Sequence, residues 1–353
     1  MNDTQPFFSI LIPSFNRPGF LAQAIESIIA NTCKDYEIIV SDDRSSKIDE
    51  IKRAIIPFEE LIRFIEQPRN LGMSDNWNYL VEQARGKFVL IMGDDDLLLK
   101  KTLSRLKQYI LEYPNNDLFA FGFNIIEENN LLICTRKPPT LFEISCDYEK
   151  ILSELLIFGV IPFWTFHQFT ICYRREIGQK IKYNKEAQIG SDLLFLVECM
   201  NAGKKLLVIP EVLFSWRKIQ KEDNRGVINL SKDSINNIKS RSNIIKILRK
   251  QNNLHPIIKG IVFNKQFEES FFLDAVVLDN SRNKQEIVKY FEHDSKIVDA
   301  INILNKHYLK RFEIRITQFK KYICIFGFTG LFYILWYAWQ RIYNKIHSRN
   351  IKY

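Results

Sequence analysis

Along the first hundred positions, short unbroken apolar runs alternate with stretches where apolar residues recur at helical spacing. Phe8-Ser9-Ile10-Leu11-Ile12-Pro13 reads as a buried strand. From Gly19 to Asn31 the apolar positions Phe20, Leu21, Ala24, Ile25, Ile28 and Ile29 follow the helical period. Tyr36-Glu37-Ile38-Ile39-Val40 reads as another strand, and Phe88-Val89-Leu90-Ile91-Met92, β-branched at Val89 and Ile91, as one more. The order strand, helix, strand, helix, strand, helix, strand predicts parallel βαβ units. Their short functional loops would gather at one sheet edge.

These runs end abruptly in polar residues. The last empties into Gly93 and three carboxylates, Asp94, Asp95 and Asp96. The second ends in Ser41-Asp42-Asp43-Arg44-Ser45-Ser46, and the first in Pro13-Ser14-Phe15-Asn16-Arg17-Pro18. Open α/β sheets bind ligands outside the carboxyl ends of their strands. Adjacent carboxylates repel one another, so a neutralising cation is expected there. A hard divalent ion that also carries phosphate oxygens fits best. The plainer alternative is a solvated acidic turn or a helix cap.

Four motifs stand in order: Ser9 to Asn16, Ser41 to Ser45, Asn70-Leu71-Gly72 with Asn76 behind it, and Gly93 to Asp96. Over residues 7 to about 220 the chain resembles the inverting, family 2 type glycosyltransferases. The resemblance implies an α/β GT-A (Rossmann-like) fold: a mixed, mainly parallel sheet flanked by helices, with a helical C-terminal extension. It also implies a nucleotide-diphosphate sugar lying across the strand ends. Pro13, Ser14, Asn16 and Arg17 would then border the nucleobase and ribose. Asp43 resembles the carboxylate that receives the base's N–H donors, a task for an acceptor-only group. Arg69 resembles a basic residue near base or phosphate; a solvated loop arginine is the alternative. Asp94 would meet the ribose, while Asp95 and Asp96 would hold Mn²⁺ or Mg²⁺. That ion would stabilise the leaving diphosphate as charge develops on it. Many relatives carry an Asp where this chain has Gly93.

An inverting transfer needs a carboxylate that takes the acceptor's proton. The resemblance assigns this role to Asp192 in Ile189-Gly190-Ser191-Asp192-Leu193-Leu194-Phe195, where relatives usually carry a second acid at the position of Ser191. Capping of a helix over 193–201 is the structural alternative, and both roles are compatible. Upstream, the aromatic stretch from Ile161 to Thr170 offers Trp164 and His167 as acceptor contacts; Phe163, Phe166 and Phe169 read equally well as core.

At 353 residues and 46% hydrophobic, the chain can bury a full core and add a subdomain. The 6 cysteines are scattered without a C-x-x-C pair, which fits a reducing compartment. Entry straight into the first strand predicts no signal peptide. Charge adds more. Of 50 basic and 41 acidic residues, the last 53 positions hold ten Lys or Arg and only Glu313, leaving 40 against 40 in residues 1–300. A basic excess confined to one end argues against nucleic acid as a partner.

That end contains Tyr322 to Trp339, eighteen residues without a charge, preceded by Lys320 and Lys321 and followed by Arg341 and Lys345. As a helix it would span roughly 27 Å, short of a bilayer core of about 30 Å. Basic flanks on both sides favour a helix lying in the anionic inner leaflet over one that spans it. The expected organisation is a catalytic domain over 1–225, a helical subdomain over 231–320 and a membrane-associating amphipathic or hydrophobic helix over 321–353. In relatives that build surface polysaccharides, similar tails meet a polyprenyl-diphosphate acceptor at the membrane.

The expected activity is metal-dependent, inverting transfer of a sugar from a nucleotide-diphosphate donor, UDP favoured, to a lipid-linked or saccharide acceptor. The enzyme would be cytoplasmic and peripherally attached to the inner face of the cell membrane. A nucleotidyltransferase would need a Gly-rich, Lys-bearing phosphate loop early in the chain, which is absent. A non-catalytic, nucleotide-sugar-binding membrane scaffold is the remaining alternative.

Overall fold

The computed structural model describes residues 5–137, 144–145, 170–219, 240, 242–254 and 259. Trp164, His167, most of 231–320 and the whole 321–353 tail lie outside the described residues. Among the described residues no helix is long and apolar enough to cross a membrane.

The first half follows the expected alternation: β1 (Phe8–Ser14), α1 (Pro18–Ile29), β2 (Tyr36–Asp42), α2 (Ile48–Ile55), β3 (Ile62–Glu66), α3 (Met73–Gln83) and β4 (Phe88–Ile91). Strands β1 and β4 are apolar almost throughout because both sheet faces are covered. The edge strand β3 is only half-buried and correspondingly mixed, Ile-Arg-Phe-Ile-Glu. Pro18 opens α1, where its missing N–H costs nothing. Leu21, Ala24, Ile25 and Ile28 form the buried stripe of that helix.

β5 (Leu97–Leu98), α4 (Thr102–Glu112), β6 (Leu118–Ile126), β7 (Leu132–Arg136) and β8 (Ile144–Ser145) follow. Next come β9 (Ile171–Arg174), α5 (Arg175–Lys180), α6 (Ser191–Asn201) and β10 (Leu206–Arg217). The sheet order is β3-β2-β1-β4-β9-β6-β10-β5, with β7 against β6 and β8 against β10. β3, β2, β1 and β4 run parallel, as do β6 and β10. β9 is antiparallel to both of its neighbours, β4 and β6. The sheet is therefore mixed and mainly parallel, flanked by helices.

Two features of this topology place the chemistry. β1 lies between β2 and β4, so successive crossovers leave it in opposite directions and open a crevice over the ends of β1 and β4. In addition, the β10 pairing with β6 shifts register between Ile209 and Val212 and again before Phe214. Such irregularities bend a strand. The end of β10 thereby pairs with β5, Ser215 opposite Leu97, immediately beyond the acidic residues. Residues 242–249 are helical. Ile244, Ile245 and Leu248 are buried, and Asn243 Nδ2 donates to Glu186 O at 2.7 Å.

Candidate active site

β1, β2 and β3 end in register at Ser14, Asp42 and Glu66, while β4 ends earlier, with Ile91 opposite Leu11, so that the turn after it runs on alongside the end of β1. The loops behind these ends form the site.

The acidic residues after β4 are buried rather than solvated. Asp94 is 2% exposed and Asp96 fully buried, while the Asp95 side chain keeps 16% exposure. Buried carboxylates need donors. Asp94 has two: Phe15 N–H donates to Oδ2 at 3.0 Å and Arg17 Nη1 to Oδ1 at 2.7 Å. The same Arg17 nitrogen lies 3.2 Å from Asp95 Oδ2. Asp96 Oδ1 accepts the backbone N–H of Arg217 at 2.8 Å, but its Oδ2 has no partner. Burial raises the Asp94 carboxyl to about 6 and lifts those of Asp95 and Asp96 above the ordinary carboxylate value, Asp96 well above it. Burial opposes the charge on Arg17, but Asp94 and Asp95 outweigh it and hold Arg17 protonated.

Gly93 explains how these side chains fit. A Cβ built there would stand 2.6 Å from Asp96 Oδ2 and 2.8 Å from Asp95 Oδ1. The space that a side chain at 93 would need is taken by those two oxygens, both of which lie over the glycine. A buried orphan oxygen beside a half-open carboxylate suits a hard cation. Among the described residues, no group of three or more His, Cys, Asp or Glu forms a complete metal cage. A cation at Asp95 and Asp96 would therefore need ligands from a donor molecule.

Arg217, the last residue of β10, meets the acidic turn. In the structure it is 2% exposed and committed to the protein. Nε donates to Asp95 O at 2.6 Å, Nη1 to Glu128 O and Asn130 Oδ1 at 2.6 Å each, and Nη2 to Gln23 Oε1 at 3.2 Å. Its guanidinium also lies 4.8 Å from the Phe20 ring centroid. It braces the acidic turn from behind. No local pattern announces this role, because β10 must bend before Arg217 meets Asp96, 121 residues away.

The β1 loop and the β2 end are tied together. Asn16 has φ 59°, a left-handed conformation that asparagine tolerates. Its N–H donates to Ser45 Oγ at 2.8 Å, and its Oδ1 accepts from Ser46 Oγ and Lys47 N. Ser45 in turn donates through its N–H and hydroxyl to buried Asp42. Pro13 is half-buried, and Ser14 is 1% exposed with an unpartnered Oγ. Asp43 accepts Leu71 N–H at 2.6 Å and Gly72 N–H at 2.9 Å, while Asn70 Nδ2 donates to Asp43 O. Its carboxylate thus orders the Asn70-Leu71-Gly72 turn, and a base would have to use its remaining lone pairs. Gly72, at φ 81°, makes the turn into α3. Asn76, Ser41 and Gln67 form a buried hydrogen-bonded set beneath it. Arg69 is exposed and pairs with no described residue.

Asp192 sits in the first turn of α6 and is partly exposed. Its neighbour Ser191 is fully buried and accepts a hydrogen bond from Ser74 Oγ, in the first turn of α3, at 3.0 Å. Because α3 starts at the strand-end edge, this contact brings the start of α6 to the same edge as Asp43 and Asp94. Gly190 is the N-cap and offers no side-chain bond, but Asp192 Oδ1 accepts Leu193 N–H at 2.7 Å, so Asp192 also satisfies a free N–H of the first turn. Two cavities of about 640 and 660 Å³ lie elsewhere, the first beside Lys182 and Glu198, the second beside Arg105 and Glu211. Neither includes the acidic turn. The strand-end geometry, not cavity size, identifies the site.

Residues 9–172 match the family described as Glycosyl transferase family 2. Over 133 residues the chain is 40% identical to the GalNAc(5)-diNAcBac-PP-undecaprenol beta-1,3-glucosyltransferase of Campylobacter jejuni, covering 36% of this chain and 41% of that enzyme. Among solved structures, Staphylococcus aureus TarS 1-349 in complex with UDP superposes with a TM-score of 0.56 at 16% identity, covering 83% of this chain and 80% of that one. The mannosyltransferase PcManGT from Pyrobaculum calidifontis, in complex with GDP-Man and Mn²⁺, gives 0.52 at 13% identity, covering 86% and 88%. These likenesses establish the GT-A fold.

Two outcomes follow from the crowding and burial at the acidic turn. Gly93→Ala pushes Asp95 and Asp96 aside without removing a carboxylate. It is expected to weaken Mn²⁺-supported UDP binding roughly 10–100-fold, read by titration calorimetry, while leaving the circular dichroism unchanged. Because burial raises all three carboxyl pKa values, cation uptake must displace protons. Mn²⁺ affinity is expected to rise with pH above the ordinary carboxylate range, with proton release detected as a buffer-dependent binding enthalpy. A pH-independent affinity would show that the carboxyls are already ionised.

Proposed function

Because this chain carries a family 2 glycosyltransferase domain of GT-A fold, we propose that it moves one sugar from a nucleotide-diphosphate donor, with inversion, to a lipid-linked or saccharide acceptor. The observation that carries this reading is the acidic turn itself. Asp95 and the orphan Asp96 oxygen converge over Gly93, at the crevice where a diphosphate would lie. Asp95 and Asp96 would hold Mn²⁺ or Mg²⁺, which when bound would offset the charge gained by the departing diphosphate.

The rest of the chemistry belongs to the chain's own groups. The acceptor oxygen attacks the anomeric carbon, the bond to the phosphate oxygen breaks, and its electron pair leaves with the nucleoside diphosphate. The acceptor proton passes to Asp192. Asp192 is partly exposed in the first turn of α6, where its carboxylate can meet the acceptor. A second acid at 191 would be fully buried against Ser74, so the role falls to Asp192 alone. Asp94, closed off by Phe15 N–H and Arg17, shapes the ribose side, and Asp43 with the 70–72 turn the base side. A UDP donor is supported by the UDP held in TarS. The Campylobacter relative's name specifies an undecaprenol-linked acceptor, and the apolar 322–339 segment with its basic flanks would bring this chain to such a lipid at the inner face of the membrane. The setting would be surface-polysaccharide assembly.

A panel of nucleotide sugars with Mn²⁺ or Mg²⁺ tests the reading. Asp192→Asn should cut transfer on the order of 10²–10⁴-fold while donor binding persists. Asp95→Ala should lose metal-supported donor binding as well. Transfer that survives Asp192→Asn intact would remove the base assignment. The tail is tested separately: the full chain should sediment with anionic vesicles and a chain ending at 320 should not. Equal sedimentation of the two would exclude the tail as the anchor.

A further inference from the structure

We infer that Arg17 is an internal counter-ion that occupies the place of the divalent cation while the site is empty and is displaced from it when the cation arrives. The inference deepens the metal-dependent reading above and rests on it.

The argument begins with charge. Three carboxylates crowd one turn, two of them almost or fully buried. Among the described residues, the cations that face them are Arg17 and, through its guanidinium on Asp95 O, Arg217. With all three carboxylates ionised and both arginines in place, one negative charge is left over. With Arg17 withdrawn, the excess is two, the charge of one divalent ion.

The two arginines are held very differently. Arg217 is buried and its guanidinium donates to four different residues, so it cannot leave without exposing acceptors. Arg17 keeps 44% of its side chain exposed and bonds the acids through Nη1 alone. Its backbone is anchored independently, since Arg17 O accepts Leu21 N–H at the start of α1. The side chain can therefore swing away with the main chain fixed. It bridges Asp94 Oδ1 and Asp95 Oδ2, and so already sits on one of the two acids assigned to the metal. Asp96 Oδ2, which Arg17 does not reach, is the unpartnered oxygen that a smaller and more highly charged ion would satisfy. A bulky guanidinium at the rim and a compact divalent ion within thus compete for overlapping ligands. The exchange balances the buried charge while no cation is bound; with the cation on Asp95 and Asp96, Asp94 Oδ1 is freed for the ribose assigned to it.

Titration of Mn²⁺ without nucleotide, followed by the electron paramagnetic resonance of the free ion, tests this on the full chain. Arg17→Gln removes the competing charge and should bind Mn²⁺ on the order of tenfold tighter than wild type, whereas Arg17→Lys, which keeps a cation, should bind it as wild type does. The melting temperature supplies a second readout. Metal-free Arg17→Gln should melt below wild type, and saturating Mn²⁺ should close most of that gap. Unchanged or weaker Mn²⁺ binding by Arg17→Gln, or a melting deficit that Mn²⁺ does not relieve, would overturn the inference while leaving metal-dependent donor binding standing. Wild-type protein that takes up no Mn²⁺ even with UDP would overturn both.

Discussion

Buried negative charge at the end of β4 is the constraint around which the rest of the molecule is arranged. Removing a carboxylate from water costs several kcal/mol unless donors replace the lost hydration, on the order of what holds a whole domain folded. Those donors come from distant parts of the chain. Phe15 N–H and Arg17 reach over from the end of β1, and Arg217 N–H arrives from the end of β10. The left-handed turn at Asn16 and the register shifts in β10 are both needed to deliver them. Gly93 is needed because the two carboxylate oxygens fill the space above it.

The opposite wall of the crevice is organised by the same logic with weaker groups. Asp42 and Asp43 stand side by side but serve different loops: Asp42 is closed by Ser45 beneath the β1 loop, and Asp43 fixes the turn that leads into α3. The start of α3 then supplies Ser74, whose hydroxyl positions Ser191 and with it the start of α6. A continuous set of short contacts thus runs from the β2 end to Asp192. The start of α6, with the proposed base Asp192, is placed by the same turn that Asp43 orders, although the two are far apart in sequence.

How much of this was legible in the sequence depended on range. β1, β2 and β4 were readable because parallel strands buried on both faces leave continuous apolar runs, and the acids of the β2 and β4 ends stand directly behind two of them. The position of β9 was not readable. Its four residues pair antiparallel between β4 and β6, and no local pattern encodes that. β5, two residues long, is defined only by its partner β10. The same limit applies to individual residues. Asp94, Asp95 and Asp96 were found from local pattern, but the bracing role of Arg217 depends on where a bent strand ends. Asp43 was recognised as an acceptor; that its first donors are backbone N–H groups of the 70–72 turn required the fold. Ser191 looked like a lost acid, and only its burial against Ser74 shows why a hydroxyl suits that position.

A site built only for stability would not be left in this state. Replacing Asp96 by an apolar residue would remove a fully buried charge with an orphan oxygen, and fewer acids would leave Arg17 free to pair completely. The chain instead keeps three acids where its own cations neutralise two. Local rules that are broken without compensation inside the fold mark places where the compensation comes from outside. Here the missing charge is positive, the missing ligand meets two converging oxygens, and the crevice opens at the strand ends where α/β sheets take their ligands. On the metal-dependent reading proposed above, this uncompensated charge would be the source of the turn's affinity for whatever cation the donor brings.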